Sequence, residues 1–199
     1  MRIPALAFAT PLVALLVSAP AHAAPENAGR RGVFLGGGGG VITGTAEDED
    51  GRDTGSFTGA GGHLRFGEEV IAGLTIGLEF LGGSGSGHND RFEAGVGGFV
   101  LQVSWRPFDS PEGLVFLGGT GVGGGGITPT EDGDFEGSSA GAIHQLGVIY
   151  EFFPYRDGDG GLAIAPAARW FILPTSADGK VWFNDFIVGV DTVWYFGRD

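Results

Sequence analysis

Apolar and polar residues alternate with a period of two along most of the chain beyond residue 31, a pattern that is typical of β-strands. A strand in a globular protein averages about 5–6 residues, whereas a tilted strand that crosses a bilayer needs about 9–11. Every alternating stretch is longer than an average strand of a globular protein, so the stretches favour membrane-crossing strands. They cover residues 32–46, 55–66, 72–83, 92–106, 113–126, 139–153, 161–173 and 183–197.

The two faces of these strands differ in chemistry. In 92–106, Leu101, Val103 and Trp105 share one face, while Gln102 and Arg106 share the other. We expect the apolar face to meet lipid and the polar and small residues to face the lumen, which side chains fill in an eight-stranded barrel. Pro166 falls on the lipid face of 161–173, and because proline cannot donate to a strand ladder, an irregularity is expected there.

The connections alternate in kind along the chain. Compact segments follow the second, fourth and sixth strands, and polar, mostly acidic segments follow the first, third, fifth and seventh. Short turns at one end and longer loops at the other are typical of outer-membrane barrels. The predicted fold is all-β: an eight-stranded antiparallel up-and-down transmembrane β-barrel with a closed, polar lumen and both termini on the periplasmic side.

The N-terminal segment reads as an export signal. Arg2 precedes an almost wholly apolar run over 3–17, and Ala21-His22-Ala23 forms a small-x-small cleavage site. This pattern predicts a signal peptide over 1–23. A short segment, 24–31, then precedes the barrel at 32–199, and the predicted location is the outer membrane.

The net charge, the absence of cysteine and the glycine content limit the partners and reactions that the chain can support. The net charge of −13 disfavours nucleic acid as a partner, and the absence of cysteine excludes disulfides and thiolate catalysis. No cofactor is expected. The five glycines at 36–40 are interpreted as a strand that packs beside large lumen side chains. A phosphate-binding loop is excluded, since no Lys-Ser or Lys-Thr follows any glycine run.

Three features together resemble the small eight-stranded outer-membrane β-barrel family of the OmpA/OmpX-like kind: the "AHA" signal, the alternation of loops, and the final strand "FIVGVDTVWYFGRD". Alternate residues of that strand, Val190, Thr192, Trp194 and Phe196, fit the register that the barrel assembly machinery reads in family members. The resemblance implies outer-membrane lipid, lipopolysaccharide and that machinery as partners, and a monomeric barrel.

Six charged residues fall on the lumen parity: Arg65, Arg106, Arg169, Glu79, Glu151 and Asp191. Buried charges need partners, so equal numbers predict a salt-bridged lumen. The alternative is a soluble lipocalin-like barrel with these charges in water. That alternative leaves unexplained the aromatic residues near strand ends, which we interpret as an interfacial girdle: Trp105, Tyr150, Phe152, Trp170, Trp194 and Phe196.

The preferred function is a non-enzymatic barrel with a structural, adhesive or surface-interaction role through its acidic loops. One alternative is a lipid A-modifying enzyme centred on the lipid-facing His144, although no tight Ser-His-Glu set accompanies it. Another is a narrow porin-like channel. His63 is assigned to the lumen and His88 to a loop. The loop acids are candidate cation ligands, interpreted first as solvated charges: Glu47, Asp48, Glu49, Asp50, Glu131, Asp132 and Asp134.

Overall fold

A computed structural model describes residues 32–47, 53–87, 92–108, 112–130, 137–157, 160–173 and 181–197, with the side chains of 53 and 54 left out. All eight predicted strands are confirmed. They are β1 (Val33–Glu47), β2 (Asp53–Ile71), β3 (Leu74–Gly87), β4 (Phe92–Trp105), β5 (Gly113–Pro129), β6 (Gly137–Asp157), β7 (Gly160–Leu173) and β8 (Trp182–Tyr195). The expected signal peptide and the segment 24–31 lie outside the described residues.

The strands form one closed antiparallel barrel in chain order, in which β8 pairs with β1. In β1, Gly38 lies opposite His63 of β2 on one side and Asp191 of β8 on the other. Closure leaves no unpaired sheet edge, which is the condition for a sheet to cross hydrocarbon. Among the described residues, no helix is long and apolar enough to span a membrane.

Several strands extend further than the sequence pattern predicts. β2 runs for 19 residues and β6 for 21. Residues 67–71 and 154–157, which were expected to form compact turns, are therefore the ends of strands. The hydrogen-bond ladder continues beyond the alternating apolar residues, because backbone N–H and C=O groups can pair next to polar side chains as well as apolar ones. The connection between β2 and β3 narrows to residues 72–73, where Gly73 adopts a φ of 77° that favours glycine.

Pro166 interrupts the pairing between β6 and β7. The register is the same on both sides of it, but the pairs opposite Ala165 and Pro166 are missing, while Pro166 keeps its place opposite Val190 of β8. The register shift itself lies closer to the C-terminal end of β6, between Phe152 and Tyr155, a stretch that contains Pro154. Both prolines lack the N–H that a ladder requires, so the seam between β6 and β7 carries two defects where one was expected.

Large apolar side chains point outward all around the barrel. Leu64 and Val122 are 64% and 66% exposed, although a soluble protein would bury most residues of this kind. Arg65 and Arg169, by contrast, point inward and are each 2% exposed. This inside-out arrangement excludes the soluble lipocalin-like alternative and defines a lipid-facing exterior.

Candidate functional site: the plugged lumen and the lipid-facing surface

Arg169 is the centre of a charged layer inside the barrel. Its Nη1 donates to Asp191 Oδ1 at 3.0 Å, and its Nη2 donates to Asp191 Oδ2. Its Nε lies 3.4 Å from Glu79 Oε1, and its Nη2 lies 3.1 Å from His63 Nε2. Strands β2, β3, β7 and β8 thus meet at one guanidinium, whose planar set of donors suits several acceptors at once.

Arg65 forms the second cationic centre, nearer the end that carries the termini. Its Nη2 lies 3.8 Å from both Glu151 Oε1 and Asp191 Oδ2. Tyr195 donates its hydroxyl to Glu151 Oε1 at 2.8 Å, and the ring of Phe34 lies 5.6 Å from the Arg65 guanidinium carbon. A cavity of about 20 Å³ opens beside these groups, which is room for one water molecule.

Two amides complete the layer. Gln102 and Gln145 both donate to Glu79 Oε2, the latter at 3.0 Å. Glu79 is fully buried, so these donors replace the water it has lost. From the sequence, Gln102 was placed on the polar face of its strand, but neither glutamine was assigned to the network. Their inward parity was the available signal.

Arg106 does not belong to this layer. It lies just beyond the end of β4, where its Nη2 is 3.3 Å from Glu69 Oε1 and its backbone N–H donates to Gly73 O at 2.8 Å. The expected set of three arginines against three carboxylates is therefore wrong in its membership. Arg65 and Arg169 contact Glu79, Glu151 and Asp191, whereas the ion pair of Arg106 is with Glu69, a carboxylate that the expected set did not include.

The half of the lumen nearer the long loops is apolar, which corrects the expectation of a polar lumen throughout. We call its side chains the apolar layer: Ile42, Ala46, Phe57, Leu81, Phe92, Ala94, Val96, Val100, Ile127, Ile143, Phe171, Leu173, Val181, Phe183 and Ile187. Phe57, Phe92 and Phe183 are at most 1% exposed. Packing of this kind excludes water, so the charged layer is sealed from the long-loop end.

One carboxylate interrupts the apolar layer. Asp185 points inward from β8, opposite Gly44 of β1 and Phe171 of β7, and is 1% exposed. Neither of its carboxylate oxygens has a hydrogen-bond partner among the described residues. An unpaired buried carboxylate is costly, so this position stands out from the otherwise apolar packing.

Inward glycines make room for the large side chains of the plug. A Cβ atom at Gly125 would lie 2.6 Å from Cε2 of Phe183, and one at Gly61 would lie 2.7 Å from Cδ1 of Ile187. At the outward Gly126, the nearest atom to such a Cβ would be 3.4 Å away. The inward glycines are therefore required by packing, which agrees with the interpretation of the glycine runs.

The six aromatic residues proposed for the girdle all point outward. Trp105, Tyr150, Phe152, Trp194 and Phe196 lie toward the end with the short turns, where the rings of Trp105 and Phe116 pack 6.0 Å apart. Trp170 lies in the other half and donates its indole N–H to Asn184. Aromatic rings at two heights fit the two interfaces of an apolar band.

His144 also points outward, on β6, where its Nδ1 lies 3.1 Å from Thr120 Oγ1 of β5. Among the described residues, no hydrogen bond or ion pair joins His144 to a serine or a carboxylate. His63 lies in the charged layer, whereas His88 lies outside the described residues. Of the candidate cation ligands only Glu47 is described, at the exposed end of β1; the others, Asp48, Glu49, Asp50, Glu131, Asp132 and Asp134, lie outside.

A closed eight-stranded barrel with an apolar exterior and a filled lumen defines an outer-membrane β-barrel protein. Solved structures of this class are similar to it. Ail, the attachment invasion locus protein of Yersinia pestis, is 11% identical over 82% of this chain and 99% of its own, with a TM-score of 0.54. The same protein in complex with the heparin analogue sucrose octasulfate gives 13% identity and a TM-score of 0.52, again over 82% of this chain and 99% of its own.

Neisserial surface protein A is also similar, with 13% identity over 83% of this chain and all of its own, and a TM-score of 0.52. At these identities the likeness shows the fold alone. No family model and no curated protein matches the sequence.

Proposed function

We propose that this outer-membrane protein is a non-conducting, non-enzymatic barrel that acts at the cell surface through its acidic loops. The charged layer and the apolar layer of the lumen support the proposal that the barrel does not conduct ions. The charged layer fills the middle, and the apolar layer closes the end toward the long loops. An ion that entered would have to cross packed phenylalanine side chains without water, which is prohibitive.

Planar-bilayer conductance tests the plug. The refolded protein is expected to give no steady current under conditions in which a water-filled porin, inserted as a positive control, conducts. A steady ion current from the folded barrel would overturn the proposal and favour the narrow channel. Heat-modifiable gel mobility of the same sample checks that the barrel is folded.

Acidic loops on a closed scaffold support a role in surface contact. Most of the loop acid lies where β1 ends and in the segment after β5: 47–50 and 131–134. The sucrose octasulfate bound by Ail is a polyanion, and acidic loops would repel such a ligand, so that ligand class is not carried over. We infer instead a cationic partner surface, or an anionic one bridged by divalent cations.

Attachment of cells that display the barrel tests this role. Replacing the acids at 47–50 with Gln and Asn is expected to reduce attachment to cationic surfaces. If the barrel also attaches to anionic surfaces through bridging divalent cations, that attachment should be lost both on adding a chelator and in this variant. Neutralising Glu112 and Asp157, at the opposite end of the barrel, is the matched control and should change neither. Equal attachment by both variants and the wild type would contradict the role of the loops.

A lipid-modifying enzyme is the second candidate, because His144 faces the lipid. Acyl release from lipid A, compared between the wild type and His144→Ala, separates the two. We expect no release from either. Release by the wild type that is lost in the variant would overturn the non-enzymatic proposal. A monomeric state and insertion by the barrel assembly machinery remain part of the proposal.

A further inference from the structure

Two cross-strand pairs of different chemistry lie one above the other where β1 and β8 reach the long-loop end of the barrel. Trp182 is directly opposite Glu47, and Asn184 is directly opposite Thr45. All four residues have the outward parity. Trp182 is 45% exposed, Glu47 and Asn184 are exposed, and Thr45 is partly exposed. Side chains paired across two strands in this way lie close enough to contact one ligand.

The two pairs lie at the outer boundary of the apolar band. Trp182 and Trp194 are twelve residues apart on β8, and Trp194 belongs to the aromatic residues at the short-turn end. A strand tilted by about 40° advances about 2.5 Å per residue along the barrel axis, so Trp182 lies about 30 Å above Trp194. With Trp194 at the inner edge of a band about 25 Å tall, Asn184 lies at the outer edge and Trp182 about 5 Å beyond it. An outward side chain at this height meets lipid headgroups.

The lower pair, Asn184 and Thr45, offers hydrogen-bond donors. Trp170 donates its indole N–H to Asn184 Oδ1. Because an indole nitrogen can only donate, the oxygen of the Asn184 amide faces it, and the NH2 group remains to donate to another acceptor. The Thr45 hydroxyl can donate to the same acceptor. A phosphate oxygen at the edge of the hydrocarbon suits this pair.

The upper pair, Glu47 and Trp182, suits a cation. Among the described residues, no hydrogen bond or ion pair engages the Glu47 carboxylate or the Trp182 indole. A carboxylate accepts hydrogen bonds from an ammonium group, and the face of a tryptophan ring binds cations better than that of any other aromatic side chain. Glu93 lacks this combination, although it is exposed on the outward face of β4, twelve residues from the girdle tryptophan of that strand and so at a similar height. Its cross-strand neighbours are Ser86 and Thr128.

We propose that the two pairs bind the headgroup of phosphatidylethanolamine. The phosphate accepts hydrogen bonds from Asn184 and Thr45. The ammonium group donates to Glu47 and lies against the ring of Trp182. In this headgroup two carbons separate the amine from the phosphate, and the amine is the group farther along the chain from the hydrocarbon, which matches the order of the two pairs and the step of about 5 Å between them. A glycerol headgroup brings no cation to Glu47, and a choline headgroup has no N–H to donate to it.

The test compares phosphatidylethanolamine with phosphatidylglycerol and phosphatidylcholine that have the same acyl chains. The full barrel is folded into nanodiscs that contain the three lipids in equal amounts, and native mass spectrometry measures the lipid that it retains. The wild type is expected to retain phosphatidylethanolamine several-fold over the other two. Glu47→Gln should abolish this preference, and Asn184→Leu should lower the retention of all three lipids. Glu93→Gln, the matched control, should change neither the preference nor the retention.

Fluorine NMR of protein labelled with 5-fluorotryptophan gives an independent readout. The Trp182 signal, identified by its loss in Trp182→Leu, should shift when phosphatidylethanolamine replaces phosphatidylglycerol, and this shift should be absent in Glu47→Gln. Equal retention of the three lipids, a preference that survives in Glu47→Gln, or an equal loss in Glu93→Gln would overturn the site. Conductance and acyl release do not depend on these residues, so the site and the non-conducting, non-enzymatic function fail separately. Heat-modifiable mobility confirms that each variant is folded.

Discussion

Replacing Arg169 with leucine tests the charged layer at its centre. The substitution removes both hydrogen bonds to Asp191 and the contact with Glu79 Oε1 at 3.4 Å. Arg65 then remains as the guanidinium of the layer, with separations of 3.8 Å from Glu151 and Asp191. Water cannot reach these carboxylates from the long-loop end, because the apolar layer closes it.

Removing one partner of a buried ion pair costs about 3–5 kcal/mol, since the remaining charge is left without compensation. The double variant Arg169→Leu/Asp191→Leu removes both members of the closest pair and restores the excess of one carboxylate that the wild type has. Its cost is therefore expected to be smaller than that of Arg169→Leu alone. The coupling energy between the two positions should be about 2–4 kcal/mol.

Urea unfolding in lipid vesicles, followed by fluorescence of the four tryptophans, measures these differences. Arg156→Leu is the control, because Arg156 pairs with Glu112 at 3.3 Å but both side chains are more than a third exposed. That variant should lose less than about 1 kcal/mol. A loss this small for Arg169→Leu, or strictly additive single variants, would refute the idea that pairing of the buried charges stabilises the layer.

Three further predictions concern packing. Gly125→Ala should lose about 1–3 kcal/mol in the same unfolding assay, because its Cβ would lie 2.6 Å from the Phe183 ring, whereas the outward Gly126→Ala should be nearly neutral. Phe171→Ala should lose about 3–5 kcal/mol through the cavity it leaves in the apolar layer, seen as a lower urea midpoint. Asp185→Leu should raise the free energy of unfolding at neutral pH by at least about 1 kcal/mol, seen as a higher urea midpoint, since it removes an unpaired buried carboxylate; a lower midpoint would show that Asp185 has a partner.

Most of the fold could be predicted from local pattern. Alternation located all eight strands, and the parity of Arg65, Glu151 and Asp191 placed them inside, because side chains of a strand point to opposite faces in turn. Strand ends were less accurate in β2 and β6. Pairing there depends on the neighbouring strand, and residues such as Glu68 and Arg156 carry no apolar alternation.

The content of the lumen was harder to predict. Phe171 and Phe183 share the parity of Arg169 and Asp191, so their inward direction was readable, yet an expectation of a uniformly polar interior left them out. Arg106 had the correct parity but the wrong height. Parity gives the face of a residue and says nothing about its level along the barrel axis.

The sequence by itself therefore determined the strands, their inner and outer faces and the end on which the long loops lie, because each of these depends on residues close together in the chain. Only the tertiary structure decided which inward residues meet. The stagger between neighbouring strands sets their relative heights as the barrel closes. That stagger brings Arg169 of β7 against Asp191 of β8 and Glu79 of β3, and leaves Asp185 among phenylalanine side chains.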